Sequence, residues 1–372
     1  MPTHPPAWTI GVEEEYQIID PTTHALSADA PRLLSFIPSP LLASAEMQQS
    51  QIELATPICH TLAEVRSALQ QARRTVIAAA EQARRWIAAA GTHPFSHWQH
   101  QQVTAQPRYH EMSQMYQHLA REQVIFGCHV HLGCPDRERA LQVMNRLRPW
   151  LAPLLALATN SPFWLGEDTG YASFRTIIWS RWPLAGLPPA FASMAEYEAL
   201  VHVLTTTGSI KDPTYLYWDL RLSERFPTIE VRLADVCLTV DEAVMIAGLA
   251  RALAETCDQQ AQEQIPDVVV PDDVIRAAHW RAARDGIDGE LLDVLLGRAV
   301  PAHQVIERLL TVVRPALECR GEWQEIARLV EQTLQRGSGA RRQRNVYRCT
   351  GQLQEVVDFV VRETAEGHGM QP

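Results

Sequence analysis

Five short segments of the chain alternate apolar and polar residues with the two-residue period of a β-strand, and in each the polar side carries titratable groups. Between Thr9 and Ile19 the period puts Glu13, Glu15 and Gln17 on one side, with Val12, Tyr16 and Ile18 on the other. In the segment 51–56, Glu53 opposes Ile52 and Leu54. In 126–133, His129 and His131 share a face while Cys128, Val130 and Leu132 share the opposite one. The segment 175–181 reads the same way, with Arg175 and Arg181 on one side, and 228–233 projects Glu230 and Arg232 away from Ile229, Val231 and Leu233. One such strand alone is ordinary surface. Five together predict a largely antiparallel sheet with one face on helices and the other lining a polar cavity, in an α+β fold.

The helices are marked by their own signals. Thr61 and Glu64 form a capping box, an apolar stripe runs from Leu62 through Val65, Leu69, Ala72, Val76 and Ala83 to Ile87, and Gly91 stops it, which predicts a helix over 61–90. A second is expected from Arg137 to Ala158, and a third from the box Thr239 and Glu242 through Ala254. From Pro271 onward the pattern is helical in pieces broken by Gly286, Pro301, Pro315 and Gly337. No internal repeat or long linker divides the chain, so residues 1–372 are read as a single domain with a mainly helical C-terminal third.

Charge narrows the partners. With 33 basic and 43 acidic residues the net charge is −10, which favours neither nucleic acid nor an anionic membrane and leaves a small molecule as the expected partner. No run approaches the roughly 18 apolar residues of a membrane span, and the Pro-rich Met1–Pro6 lacks the layout of a signal peptide, so a cytoplasmic protein is expected. The seven cysteines include no C-x-x-C pair and read as reduced, mostly buried thiols, with Cys128 on the apolar side of its strand.

Glu13, Glu15, Glu53 and Glu230 on one sheet face would repel one another in a partly dry cleft unless a cation intervened. Carboxylates with one imidazole, from His129 or His131, suit Mg²⁺ or Mn²⁺ better than zinc. Metal-bound carboxylates with Arg232, Arg175 and Arg181 nearby are the equipment for handling nucleotide phosphates, the alternative for each arginine being a structural ion pair. Lys211 is the only lysine, and Gly208-Ser-Ile-Lys-Asp212 is no phosphate-binding G-x-x-x-x-G-K-[ST] loop, so ATP would have to bind without one. The H-E-x-x-H, G-x-S-x-G and G-x-G-x-x-G patterns are absent as well. The basic stretch 336–344 reads as an exposed glycine-rich loop, able to close over a polyphosphate.

Several motifs then fall in one order: Gly11-Val-Glu-Glu-Glu15, Gly127-Cys-His-Val-His-Leu-Gly133, Ser161-Pro-Phe-Trp-Leu-Gly-Glu-Asp-Thr-Gly-Tyr-Ala-Ser-Phe-Arg175, Trp179-Ser-Arg-Trp-Pro183 and Pro227-Thr-Ile-Glu-Val-Arg-Leu-Ala-Asp235. This set resembles the bacterial carboxylate-amine ligase family, the glutamate–cysteine ligase type 2 group, from residue 9 to at least 255, with a looser likeness at 279–286 and in the C-terminal helices. The resemblance implies a glutamine synthetase-like fold: a curved antiparallel sheet with helices on its convex face and ATP with two or three Mg²⁺ ions on its concave face.

It further implies Glu13, Glu15, Glu46, Glu53, His129 and Glu230 as metal positions. Glu15, His131 and Arg232 would serve ATP, Arg232 and Glu230 would serve catalysis, and Arg175, Arg181 and Tyr171 would hold the substrate. Glu46 enters because it stands seven residues before Glu53, a spacing that resembles an acidic pair of the wider superfamily. The implied reaction activates a carboxylate as an acyl phosphate and lets an amine displace phosphate, with glutamate and cysteine as the default pair and a homo-oligomer as the expected assembly. The competing reading is a metal-dependent amide hydrolase or small-molecule binding protein on the same scaffold.

Overall fold

The computed structural model describes residues 8–38 and 42–366. Met1–Pro6, on which the expectation about a leader rests, lies outside them. Strands β1 (Ile10–Ile19), β2 (Leu42–Ala45), β3 (Gln51–Ala55), β4 (Trp86–Ala88) and β5 (Gly127–Gly133) belong to one sheet. A separate short hairpin, β6 (Phe163–Trp164) with β7 (Glu167–Asp168), precedes the last two sheet strands, β8 (Leu220–Leu222) and β9 (Thr228–Asp235). The order is β2-β3-β1-β5-β9-β8 with β4 added to the end of β1, and every pairing is antiparallel.

Register brings the polar faces together. Across β1, Glu13 pairs with His129 of β5 and Glu15 with Glu53 of β3. Across β9, Glu230 pairs with His131 of β5 on one side and Arg221 of β8 on the other, after a bulge in β5 between Cys128 and Val130. The opposite face carries Ile10, Val12, Val130, Leu132, Val231 and Leu233, all buried. It packs on the helices Arg137–Leu147, Leu151–Leu157 and Val240–Gln262, the last apolar nearly all round because other helices cover its far side. Each such apolar side chain contributes roughly 1.5–3 kcal/mol by leaving water.

Several sequence expectations need correction. The first helix spans Leu62–Gln82, not 61–90: Ala83 caps it, Arg84 turns left-handed at φ 58°, and Ile87 becomes part of β4. The helix expected over 137–158 is two, separated by the 3₁₀ turn Arg148–Trp150, where Pro149 has no N–H to continue the ladder. The segment 175–181 is no strand; Ser173 caps the helix Phe174–Trp179 by accepting from the Thr176 amide. The stretch 336–344 is no loop either, since Ser338 caps the helix Gly339–Thr350, and Gln343 on that helix is buried against Asn160. A cover over the cavity cannot come from there.

The C-terminal third is mainly helical as expected, apart from the strand pair Glu290–Asp293 and Arg298–Pro301. Pro315 does not break its helix: it sits inside Ala302–Cys319 on the exposed side, where water can take the freed carbonyl. Five of the seven cysteines are buried, as expected of mostly buried thiols, and Cys319 and Cys349 are exposed. No helix among the described residues is long and apolar enough to cross a membrane.

Candidate active site

The polar face of the sheet forms the floor of a cavity of about 430 Å³, lined by Glu13, Glu15, Glu46, Glu53, His129, His131, Arg175, Glu230 and Arg232. Alternation along β1, β3, β5 and β9 places most of these side chains without help from loops. Arg175 reaches the same space from the first turn of its short helix, and its Nη1 and Nη2 donate to the carbonyls of Leu233 and Arg232, each at 3.3 Å. Gly127 makes room for it: a Cβ there would stand 2.4 Å from Arg175 Nη2.

Glu13, Glu53 and His129 each present a ligand atom within 4.8 Å of the others. His129 Nδ1 stands 3.3 Å from Glu13 Oε2, and His131 Nε2 lies 3.1 Å from Glu13 Oε1, without the alignment of a hydrogen bond. Burial, with Arg232 and Arg175 adding to it against the pull of Glu13, lowers the His129 imidazole to about 3, so it is neutral and able to ligate. Burial would raise the Glu13 carboxyl, but the two histidines outweigh it and hold it well below the usual carboxylate range. Burial and then Glu15 and Glu13 push Glu46 up to about 8, and burial with Glu46, Glu13 and Glu15 raises Glu53 well above its ordinary value. Crowded carboxylates that must take up protons when no cation is near are the chemistry of a divalent-ion site. The donor set of two carboxylates and one neutral imidazole fits Mn²⁺ or Mg²⁺.

The other carboxylates are engaged differently. Glu15 accepts from the Gly127 amide, and Glu46 accepts from the Met47 amide at 3.3 Å, with the Tyr109 hydroxyl 3.5 Å away. Glu230 Oε2 takes Arg221 Nε at 2.7 Å and Arg232 Nη1 at 3.1 Å. Burial opposes its ionisation, yet Arg221, Arg232 and His131 together bring its carboxyl down to about 2. The Nε atoms of Arg175 and Arg232 are buried and have no partner among the described residues.

Two expected substrate residues stand elsewhere. Arg181 lies outside the cavity and pairs with Glu122, because the helix turns it away from Arg175. Tyr171 also lies outside, its hydroxyl accepting from Trp280 Nε1 at 3.2 Å. Sequence reading missed Arg221 and an aromatic wall made by Tyr109, Trp179, Trp182 and Tyr217. The alternation Leu220-Arg221-Leu222 is a signal for the first, and the repeated tryptophan of Trp179-Ser-Arg-Trp182 for part of the second.

The chain matches the model of the family described as glutamate-cysteine ligase family 2 over residues 9–363. It is 41% identical to a protein of Frankia alni provisionally named glutamate–cysteine ligase 2-2, covering 96% of this chain and 97% of that one. A Rhodopirellula baltica protein provisionally named glutamate–cysteine ligase 2 is 42% identical, with 96% of each chain covered. Among solved structures, the glutamate–cysteine ligase of Francisella tularensis in complex with AMP aligns with a TM-score of 0.72 at 12% identity, over 98% of this chain and 90% of its own. A bifunctional glutathione synthetase from Pasteurella multocida gives a TM-score of 0.68 at 16% identity, over 97% of this chain and 53% of its own. At such identities the likeness to the solved structures is one of fold.

Proposed function

The chain belongs to glutamate-cysteine ligase family 2, and from that membership and the charge layout of the cavity we propose that it is an ATP-dependent carboxylate–amine ligase. The observation that carries this reading is the meeting, in one cavity, of Glu13, Glu53 and His129 with Arg175 and Arg232, whose Nε donors have no partner among the described residues. We read the antiparallel sheet and its helices as glutamine synthetase-like, the chain as one cytoplasmic domain, and its assembly as a homo-oligomer.

A substrate carboxylate attacks the terminal phosphorus of ATP, the bond to the ADP oxygen breaks, and an amine then displaces phosphate from the acyl phosphate, losing a proton as the amide forms. Arg232 and Arg175, whose side chains are largely buried, offset the charge on the transferring phosphoryl oxygens. Glu230 holds Arg232 in place, and Glu15 fixes the Gly127 end of β5 beside Arg175. A divalent ion held by Glu13, Glu53 and His129, Mg²⁺ or Mn²⁺, supplies charge neutralisation at the phosphates when bound. Glutamate and cysteine are the default substrates, on the family's name.

The test is ADP release from Mg-ATP with purified protein, run over single amino acids and all carboxylate–amine pairs, with mass detection of products. Turnover that needs both partners and forms one amide per ADP is expected. If no pair stimulates ADP release and calorimetry finds no Mg-ATP binding, the ligase reading falls and a metal-dependent amide hydrolase takes its place.

A further inference from the structure

Antiparallel register sets Arg221 of β8 directly opposite Glu230 of β9. Arg221 Nε holds Glu230 Oε2 at 2.7 Å, the shorter of that oxygen's two arginine contacts. The other arm of the same guanidinium, Nη1, donates to the carbonyls of Thr214 at 3.0 Å and Leu216 at 2.8 Å, in the segment that forms the cavity wall. Arg221 is thus anchored at three points to its own protein. Arg232 shares the carboxylate at 3.1 Å and keeps a buried Nε without a partner among the described residues.

A carboxylate and a guanidinium left alone prefer to close fork to fork, with two parallel hydrogen bonds. Were Glu230 to have only Arg232, that closure would turn the Arg232 donors inward, away from any anion in the cavity. We propose that Arg221 is a positioning residue: it occupies Glu230, and so keeps the Arg232 guanidinium turned toward the anionic substrate. The inference rests on the reading of Arg232 as the phosphate-facing arginine of the proposed ligase. It assigns Arg221 no contact with substrate, only an effect transmitted through Glu230.

A double-mutant cycle over Arg221→Met and Glu230→Gln tests it, with affinity for magnesium pyrophosphate and for Mg-ATP read by calorimetry. Arg221→Met alone is expected to weaken both ligands roughly tenfold, and less than about threefold once Glu230→Gln is present, since residues that act through one another are not additive. An equal loss in both backgrounds means direct contact with the ligand and overturns the proposal, as does unchanged affinity. A merely structural role would lower the urea midpoint of unfolding without any coupling in ligand affinity. If Arg221→Met does not fold, Arg221→Lys completes the same cycle, because it keeps the charge and gives up the fork to the two carbonyls. Binding of pyrophosphate without binding of Mg-ATP sinks the nucleotide reading alone; binding of neither sinks both.

Discussion

Glu13 and His129 are register partners across β1 and β5, and on the cavity side His129 Nδ1 comes within 3.3 Å of Glu13 Oε2. A neutral imidazole beside a carboxylate held in its charged form is a pair of ready ligands, and Glu53 from the neighbouring strand completes a set of three. Replacing Glu13 by Gln removes a charge but little volume. Mn²⁺ affinity, measured by calorimetry, is expected to fall by roughly tenfold or more. Retention of full affinity would move the ion away from this triad.

Protons compete with that ion. Glu46, at about 8, is protonated in the metal-free protein at neutral pH, and burial with its carboxylate neighbours raises Glu53 above its ordinary value. Binding must expel a proton, so apparent Mg²⁺ affinity is expected to rise between about pH 6 and about pH 8, and calorimetry in buffers of different ionisation enthalpy should show proton release.

Linkage gives the same groups a second, opposite signature in stability. Between the ordinary carboxylate range and about 8, Glu46 keeps a proton in the folded metal-free protein that it loses in the unfolded chain, so its contribution to stability falls as pH rises through that window; His129, held neutral when folded, contributes the opposite slope only up to the ordinary imidazole range. Glu13 and Glu230, held low, have already contributed in full above the ordinary carboxylate range and add no slope there. Urea unfolding at about pH 6 and about pH 8 is expected to show a drop without Mg²⁺ and little or none with it. A metal-free protein that grows more stable over this window would contradict the crowding of the carboxylates.

Gly127 is where backbone and function meet most closely. An alanine Cβ would stand 2.4 Å from Arg175 Nη2 and 3.1 Å from His129 Nε2. The guanidinium is tied to two carbonyls and cannot swing away freely. Gly127→Ala is expected to cost about 1–3 kcal/mol of stability through overpacking, and to weaken Mg-ATP binding more than tenfold by displacing Arg175. Equal affinities in the two proteins, again by calorimetry, would show that Arg175 does not face the nucleotide.

The strand-borne part of this site was legible because a period of two assigns faces without knowledge of partners: Glu13, Glu53, His129 and Glu230 fall where alternation puts them. What failed was local. Thr176-Ile177-Ile178 is a β-branched run too short for periodicity to distinguish strand from helix, and the Ser173 cap decides it. Arg181 followed Arg175 onto the wrong face for that reason. The role of Arg221 is invisible without the β8–β9 register, which only the fold supplies. The roll of apolar positions in β1 likewise gives no place to Glu14, because its partner is 59 residues away.

That partner is Arg73, on the helix Leu62–Gln82, and both side chains are wholly buried. Arg73 Nε donates to Glu14 Oε2 at 3.1 Å, and the same guanidinium donates to the carbonyls of Cys237 and Leu238 at 2.8 and 2.9 Å, just after β9. The pair therefore ties β1 to the chain that leads into the helix Val240–Gln262, beneath the cavity floor. Arg73→Met takes the arginine away from Glu14 in the core and leaves only the Tyr16 hydroxyl donating to its carboxyl group, and a loss of about 3–5 kcal/mol is expected in urea unfolding. Arg73→Met with Glu14→Leu should recover much of it, because two apolar groups leave no buried charge. Failure of the double variant to recover would mean that the bonds to the two carbonyls, not the ion pair, are what the arginine is there to make.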